Sequence, residues 1–173
     1  MKTTQQWLSE VKASPEKLTH WLKRQYVGEA LAADRIKSLA ELVEGPHKAS
    51  LEYIASDEAT HSEWVAGLLK ARGIELPTPS YEGTRYWAPI LANLKTFAEL
   101  MGAGHHAETM RLVRITALAD DAEIDADIRE VFAKILPDEE RHARLFAAMS
   151  DANAIAATRD LHEKGLEALG LEI

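Results

Sequence analysis

Four long segments of the chain carry apolar residues at alternating intervals of three and four, the spacing that lines up side chains on one face of an α-helix. No stretch of useful length alternates apolar and polar residues with a period of two, so nothing indicates a β-sheet. The segments cover about residues 15–44, 47–71, 90–118 and 126–149, and shorter helical patterns flank them. The sequence therefore predicts an all-α protein.

The breaks between these segments predict how the helices connect. Ser14-Pro15 opens the first segment, Gly45-Pro46 separates it from the second, and an acidic turn at 119–125 follows the third. Short connections make consecutive helices antiparallel neighbours. Residues 73–89 are rich in Pro and Gly and, when extended, can reach ~55 Å, the length of a whole bundle. We therefore expect a four-helix bundle of two antiparallel hairpins joined by one long crossover.

The chain has 173 residues, which is one domain's worth of sequence. We expect a single domain over residues 1–173, with the bundle core at about 15–150 and a C-terminal helix at about 152–169. There is no cysteine, which excludes disulfides, thiol catalysis, Cys-ligated zinc and iron–sulfur clusters. A net charge of −8 argues against nucleic acid or an anionic membrane as the main partner.

The same sequence carries no segment suited to a membrane. Its N-terminal stretch lacks an apolar signal core, and no run of ~18 apolar residues is long enough to span a bilayer. We therefore expect a cytoplasmic protein.

Each of the four apolar stripes is interrupted near its middle by a carboxylate, and in two stripes a histidine follows three residues later. The interrupting residues are Glu29, Glu58, Glu108 and Glu139, with His61 and His142. Counting residues to the hairpin turns places the four carboxylates at one height, to within about a helical turn. Buried carboxylates without partners cost several kcal/mol, so they must either share protons or bind cations.

The combination of these residues favours the bound cations. A single Glu-x-x-His occurs often by chance, but here two such pairs and two further glutamates fall one per helix and in stripe register. Oxygen-rich ligation with some nitrogen and no sulfur suits iron or manganese, with zinc as an adventitious occupant. Two bridging carboxylates and two terminal Glu/His pairs would hold two ions.

This constellation resembles the ferritin-like di-iron carboxylate superfamily over about residues 15–150. Within the superfamily the sequence is most similar to rubrerythrin-like proteins, but a chain without cysteine has no rubredoxin module. The two halves also repeat one another, which indicates an internal duplication of helical hairpins. The repeated motifs are Glu29-x5-Arg35 with Glu108-x5-Arg114, and Ile54-x2-Asp57-Glu58-x2-His61 with Ile135-x2-Asp138-Glu139-x2-His142.

The resemblance implies a ligand set for two iron ions, with manganese as the alternative. Glu29 and Glu108 would be the single carboxylates, and the two Glu-x-x-His pairs would supply the other ligands: Glu58, His61, Glu139 and His142. The resemblance also implies that Asp57 and Asp138 each accept a hydrogen bond from the ligand histidine of the opposite hairpin. The alternative is that both are solvated helix residues. Arg141 either joins this network or is exposed.

Other residues near the predicted site have two interpretations. His105 and Tyr26 lie one turn before Glu108 and Glu29, and are catalytic candidates as proton donors, extra ligands or radical relays, or else are polar core residues. Rubrerythrins carry an extra glutamate at the position of His105. Gly102 and Gly104 either open a pocket beside the metals or are ordinary irregularities.

Two further features of the sequence concern helix continuity and aromatic packing. Pro137 starts a separate helix or, as we expect from the continuous stripe, kinks a single one. The tryptophans and Tyr86 are expected to be core or capping residues. The shorter fifth helix, with His162, is expected to pack on the bundle or form a dimer surface.

Together these features favour an oxidoreductase that reacts with O2 or peroxide and acts on a small-molecule substrate. The absence of cysteine implies that electrons come from an external donor protein, and we expect a homodimer. The alternatives are a ferroxidase or iron-handling protein and a metal-binding structural bundle.

Overall fold

The computed structural model describes residues 2–81 and 85–171, and within these ranges it contains eight α-helices and no β-strand. The helices are α1 (Thr4–Lys12), α2 (Pro15–Ala40), α3 (Pro46–Ala71), α4 (Trp87–Leu91), α5 (Phe97–Ala119), α6 (Ala126–Met149), α7 (Ala152–Ala157) and α8 (Arg159–Leu169). The predicted all-α class is confirmed. Gly83, part of the predicted linker, lies outside the described residues.

The four long helices form two paired hairpins. α2 packs along α3, α5 packs along α6, and α3 also contacts α6 across the bundle. The connections within the hairpins are short, whereas α3 and α5 are separated by a long crossover that contains only the short α4. The predicted bundle of two hairpins with one crossover is confirmed.

Two apolar clusters fill the bundle, one toward each end. The first includes Leu22, Val65, Ile115 and Ile135, and the second includes Ala40, Ile54, Met101 and Phe146. Along every long helix, the predicted ligand residues fall between the positions that belong to the two clusters. The fold therefore holds a polar layer between two apolar ones.

Local sequence signals explain where the helices of the first hairpin begin. The Ser14 hydroxyl accepts a hydrogen bond from the backbone N–H of Lys17 at 3.3 Å, and Pro15 follows it in the first turn. Gly45 precedes α3 with φ of +67°, a conformation that glycine adopts without strain. The first segment was predicted to continue to about residue 44, but α2 ends at Ala40.

The predicted start of the third long helix was wrong. It was placed near Ile90, but α5 begins at Phe97 and the preceding apolar residues form the separate α4. A capping box between Thr96 and Glu99 fixes the boundary, because each side chain bonds the backbone N–H of the other, at 3.1 and 3.2 Å. The apolar pattern alone does not show this boundary.

The C-terminal segment is two helices instead of the single one that was predicted. The break falls at Thr158, a buried residue whose hydroxyl donates to the Ala154 carbonyl at 2.9 Å. Gly102 of α5 lies directly beneath, where a Cβ would come within 2.9 Å of the Thr158 hydroxyl oxygen. Gly102 thus allows α7 to approach α5 closely. α6, in contrast, runs through Pro137 as one helix.

Among the described residues, none of the helices combines the length and the apolar character needed to cross a bilayer.

Candidate metal centre

The polar layer of the bundle brings together the six residues that were predicted as metal ligands. They come from all four long helices, and their side chains are buried among the apolar residues above and below. The set is Glu29, Glu58, His61, Glu108, Glu139 and His142. Glu108 is 5% exposed and the other five are fully buried.

The six residues form two overlapping groups, each with the arrangement of a metal site. In each group, one ligand atom from every residue lies within 4.8 Å of the others. Glu29 and His61 belong to one group, Glu108 and His142 belong to the other, and the remaining two glutamates belong to both. Glu58 and Glu139 are therefore in position to bridge two ions, which the sequence left open.

The two histidines are held by aspartates of the opposite hairpin. The Nε2–H group of His61 donates to Asp138 Oδ2 at 3.2 Å, and that of His142 donates to Asp57 Oδ2 at 3.1 Å. Arg141 lies between the two aspartates, and its Nη2 bonds both of them, at 3.2 Å in the case of Asp57. In both rings the aspartate keeps a proton on Nε2, so Nδ1 is the nitrogen that faces the glutamates and could bind a metal ion.

Each Nδ1 atom lies close to one of the shared carboxylates. His142 Nδ1 is 3.1 Å from Glu58 Oε1, and His61 Nδ1 is 3.4 Å from Glu139 Oε1. Burial opposes protonation of His61, but the surrounding carboxylates outweigh it and raise the pKa of this residue. The His61 imidazole therefore favours its charged form beside the carboxylates.

The four carboxylates titrate away from their ordinary range because they are buried close together. Burial raises the pKa of Glu29 and of Glu108 well above the usual glutamate value, and the neighbouring carboxylates Glu58 and Glu139 add to the shift. Burial would also raise the pKa of Glu139, but Arg111 and His61 outweigh it and hold this pKa below its usual value.

Arg111 was not anticipated by sequence reasoning, yet its guanidinium lies among the four carboxylates. Its Nη2 is 2.9 Å from Glu139 Oε1 and also pairs with Glu29. Its Nη1 is 3.4 Å from Glu58 Oε2 and 3.8 Å from Glu108 Oε2. The signal in the sequence is weak, because Glu-x-x-Arg is also the ordinary spacing of a surface ion pair on a helix.

The chemistry of the site fits two divalent cations. Several buried atoms that point into the layer make no hydrogen bond with the described residues, although such atoms are normally satisfied in folded proteins. They are Glu29 Oε2, His61 Nδ1, Glu108 Oε2 and Glu139 Oε2, together with Glu139 Oε1, which contacts Arg111 only as an ion pair. The four carboxylates outnumber the single guanidinium among them, which favours the binding of cations. Oxygen-rich ligation with two imidazoles suits iron or manganese.

A cavity of about 400 Å³ adjoins the layer between α2, α5 and the crossover. Glu108 and Gly104 are among the residues that line it, which agrees with the interpretation of Gly104 as a pocket residue. Trp87 also lines it and packs against the apolar cluster of Tyr86 and Ile90, as expected of a core residue. The remaining wall residues are mainly apolar: Ala32, Ile36, Leu39, Leu42, Leu91, Leu100, Met101 and Phe146.

The two catalytic candidates lie beside the layer, where each has another partner. The Nδ1–H group of His105 donates to the Ala143 carbonyl at 3.0 Å. Tyr26 packs against the first apolar cluster. Neither is among the residues that line the cavity. These contacts match the interpretation as polar core residues, and a catalytic role for either stays a prediction.

Comparisons with known proteins agree with this geometry. A solved structure, Protein 43 with aldehyde deformylating oxygenase activity from Synechococcus, is similar in fold, with a TM-score of 0.77 and 23% sequence identity. The match covers 94% of this chain and 84% of that one. Among curated proteins, none is significantly similar in sequence. The family model for Rubrerythrin matches residues 20–150, a range that contains all six predicted ligands. The chain therefore belongs to the rubrerythrin family.

Proposed function

We propose that this protein is a dinuclear non-haem metal oxidoreductase that uses O2 or peroxide to oxidise a small organic molecule. The proposed cofactor is a pair of iron ions, with manganese as the alternative. The observation that carries the proposal is the sharing of Glu58 and Glu139 between two buried ligand groups, beside a cavity that reaches Glu108. A static structural ion would need neither the second group nor the cavity.

The residues of the chain have distinct tasks in this proposal. The glutamates and the Nδ1 atoms of His61 and His142 would hold the ions, and Asp57 and Asp138 would keep both rings in the required tautomer. Redox-active ions bound there would supply electrons for the reduction of O2 or peroxide. The apolar clusters on both sides of the layer exclude water from it.

The similar solved structure gives independent support for oxygen chemistry in this fold, because its name states an oxygenase activity. The chain contains no cysteine and so no rubredoxin-type iron site. We therefore propose that a separate protein delivers the electrons. The apolar lining of the cavity favours an organic substrate over the passage of hydrated ferrous ions, which would need polar walls.

Anaerobic titration with Fe(II), followed by O2 or hydrogen peroxide, tests the proposal. We expect two ions per chain and an absorbance change with consumption of the oxidant. The matched variants are Glu58→Ala, which removes a shared ligand, and Glu140→Ala, which removes an exposed carboxylate next to the shared ligand Glu139.

Metal-loaded protein that leaves both oxidants unconsumed contradicts the proposal. Oxidised iron accumulating well beyond two ions per chain favours iron handling instead. A parallel titration with Mn(II) compares the two metals.

A further inference from the structure

The cavity beside Glu108 has apolar walls and a single cationic residue. Its volume of about 400 Å³ lies in the range of pockets that bind small organic ligands. The walls come from aliphatic and aromatic side chains of α2, α4, α5 and α6, and the charged residues among them are Arg35 and Glu108. A ligand of matching shape would be largely hydrocarbon.

The mouth of this cavity is also apolar. Leu42, Tyr81 and Leu91 line it, and these residues are 81%, 48% and 48% exposed to solvent. Large apolar side chains grouped at one surface opening are typical of a place where an apolar molecule binds or enters. The mouth and the walls thus favour the same class of ligand.

Arg35 is the exception in these surroundings. Its guanidinium stacks over the ring of Trp87, with 4.9 Å between Cζ and the ring centroid. Among the described residues it takes part in no ion pair and no side-chain hydrogen bond. Burial lowers the pKa of this guanidinium, while Tyr81, Glu58 and Glu108 act on it in the opposite direction. Partial burial of a cation whose N–H donors have no partner costs free energy, and a ligand that accepts from those donors would recover it.

A planar anion with two acceptor oxygens satisfies both the charge and the parallel N–H donors of a guanidinium. Arginine donates two parallel hydrogen bonds to a carboxylate, and stacking on Trp87 fixes the plane from which they extend. The acidic residue nearest the cavity, Glu108, faces the metal-ligand layer and belongs to a ligand group there. The donors of Arg35 therefore remain for a ligand.

We infer that the cavity binds a medium-chain organic acid, with its carboxylate on Arg35 and its hydrocarbon chain against the apolar walls. This inference rests on the proposed function, because it names the substrate class of that same site. Arg35 then selects for a charged head group. The part of the hydrocarbon chain that lies beside Glu108 is the part closest to the predicted metal ligands.

Calorimetric titration of the full-length, metal-free protein with octanoate and octan-1-ol tests the inference. Without metal, no ion can bind the carboxylate in place of Arg35. We expect octanoate to bind about 10- to 100-fold more tightly than octan-1-ol, because a hydrogen bond to a charged group is worth that ratio. Acetate should bind far more weakly than octanoate, since it lacks the chain.

Three variants locate the effect. Arg35→Gln should abolish the preference for octanoate while octan-1-ol still binds, and Arg144→Gln, at an exposed arginine, should keep it. Ile36→Trp fills the cavity and should weaken both ligands. Equal binding of the two ligands to the wild-type protein, no binding of either, or a preference that survives Arg35→Gln overturns the inference. Because no metal or oxidant is used, these outcomes are independent of the test of the proposed function.

Discussion

The guanidinium of Arg111 contacts the carboxylate of Glu139, with 2.9 Å between Nη2 and Oε1, at the point where two ligand groups share that glutamate. Arg111 also contacts the other three carboxylates of the layer, and its side chain is 19% exposed. An internal cation therefore offsets part of the negative charge when no metal ion is bound.

Removing the internal cation is expected to destabilise the metal-free protein. Arg111→Gln should lower the free energy of unfolding by about 3 kcal/mol, because buried carboxylates then lose their counter-charge. Urea denaturation of the metal-free protein measures it. Arg144→Gln is the matched control, and its effect should stay below about 0.5 kcal/mol because that arginine is exposed. An Arg111→Gln protein as stable as wild type would show that the contacts contribute nothing.

The shared and single carboxylates should differ in metal stoichiometry. Glu29→Ala removes a ligand from one group only, so one ion per chain should still bind tightly. Glu58→Ala removes a ligand from both groups, so neither ion should bind tightly. Elemental analysis after dialysis against a weak chelator gives the ratio, with circular dichroism to confirm that both variants are folded. Equal loss in the two variants would contradict the assignment of Glu58 as a shared ligand.

The aspartates behind the histidines should control metal affinity without being ligands. Asp138→Asn keeps the size of the side chain but weakens the acceptor for the Nε2–H group of His61. We expect metal affinity to fall about 10- to 100-fold, as is common when a partner of a ligand histidine is lost. Competition with a chromogenic chelator measures this affinity. Asp160→Asn, at an exposed position, should leave it unchanged.

Stability should fall in acid through His162, a histidine that is not among the six predicted ligands. The hydroxyl of Tyr86 donates to His162 Nδ1 at 2.7 Å. Burial, with a smaller effect of His106, lowers the pKa of His162 from 6.5 to about 4. The unfolded chain takes up this proton first, so the contribution of His162 is complete above pH 6.5 and decreases as the pH falls toward 4.

The comparison that isolates this effect is between two histidine variants. His162→Gln retains an acceptor for Tyr86 but cannot titrate, so its urea midpoint should fall less than that of wild type between pH 7 and pH 4.5. His20→Gln, at an exposed histidine, should follow the wild-type curve. Parallel curves for wild type and His162→Gln would rule out His162 as the source.

Helical periodicity was enough to predict the bundle, because the apolar stripes and the short turns are local signals. The ligand residues were also accessible from the sequence, since carboxylates that interrupt apolar stripes in register must lie in one layer. The start of α5 was missed because the apolar residues of α4 continue the same pattern without a gap. Only the Thr96–Glu99 capping box marks the boundary.

Arg111 and Arg35 could not be assigned from the sequence for a different reason. Arg111 follows Glu108 by three residues, a spacing that is also common on protein surfaces. Arg35 has no carboxylate three or four residues before it on its own helix, so the sequence offers no local partner for it. Their surroundings in the fold distinguish them. Arg111 is enclosed among four carboxylates, three of them on neighbouring helices, and Arg35 lies beside Trp87 of the crossover. Such surroundings arise from contacts distant in sequence, and no local pattern encodes them.

The two halves of the chain repeat one another, but they differ three residues after the single carboxylates. Ala32 follows Glu29 and lines the cavity, whereas the corresponding position after Glu108 is Arg111, whose long side chain occupies the space beside the ligands. A perfectly duplicated pair of hairpins would offer two equivalent directions of approach. In the described part of the chain, the cavity beside the ligand layer lies on the Ala32 side, so a substrate of the proposed oxidation would meet the layer from that side. A prochiral substrate is accordingly expected to yield one enantiomer in excess.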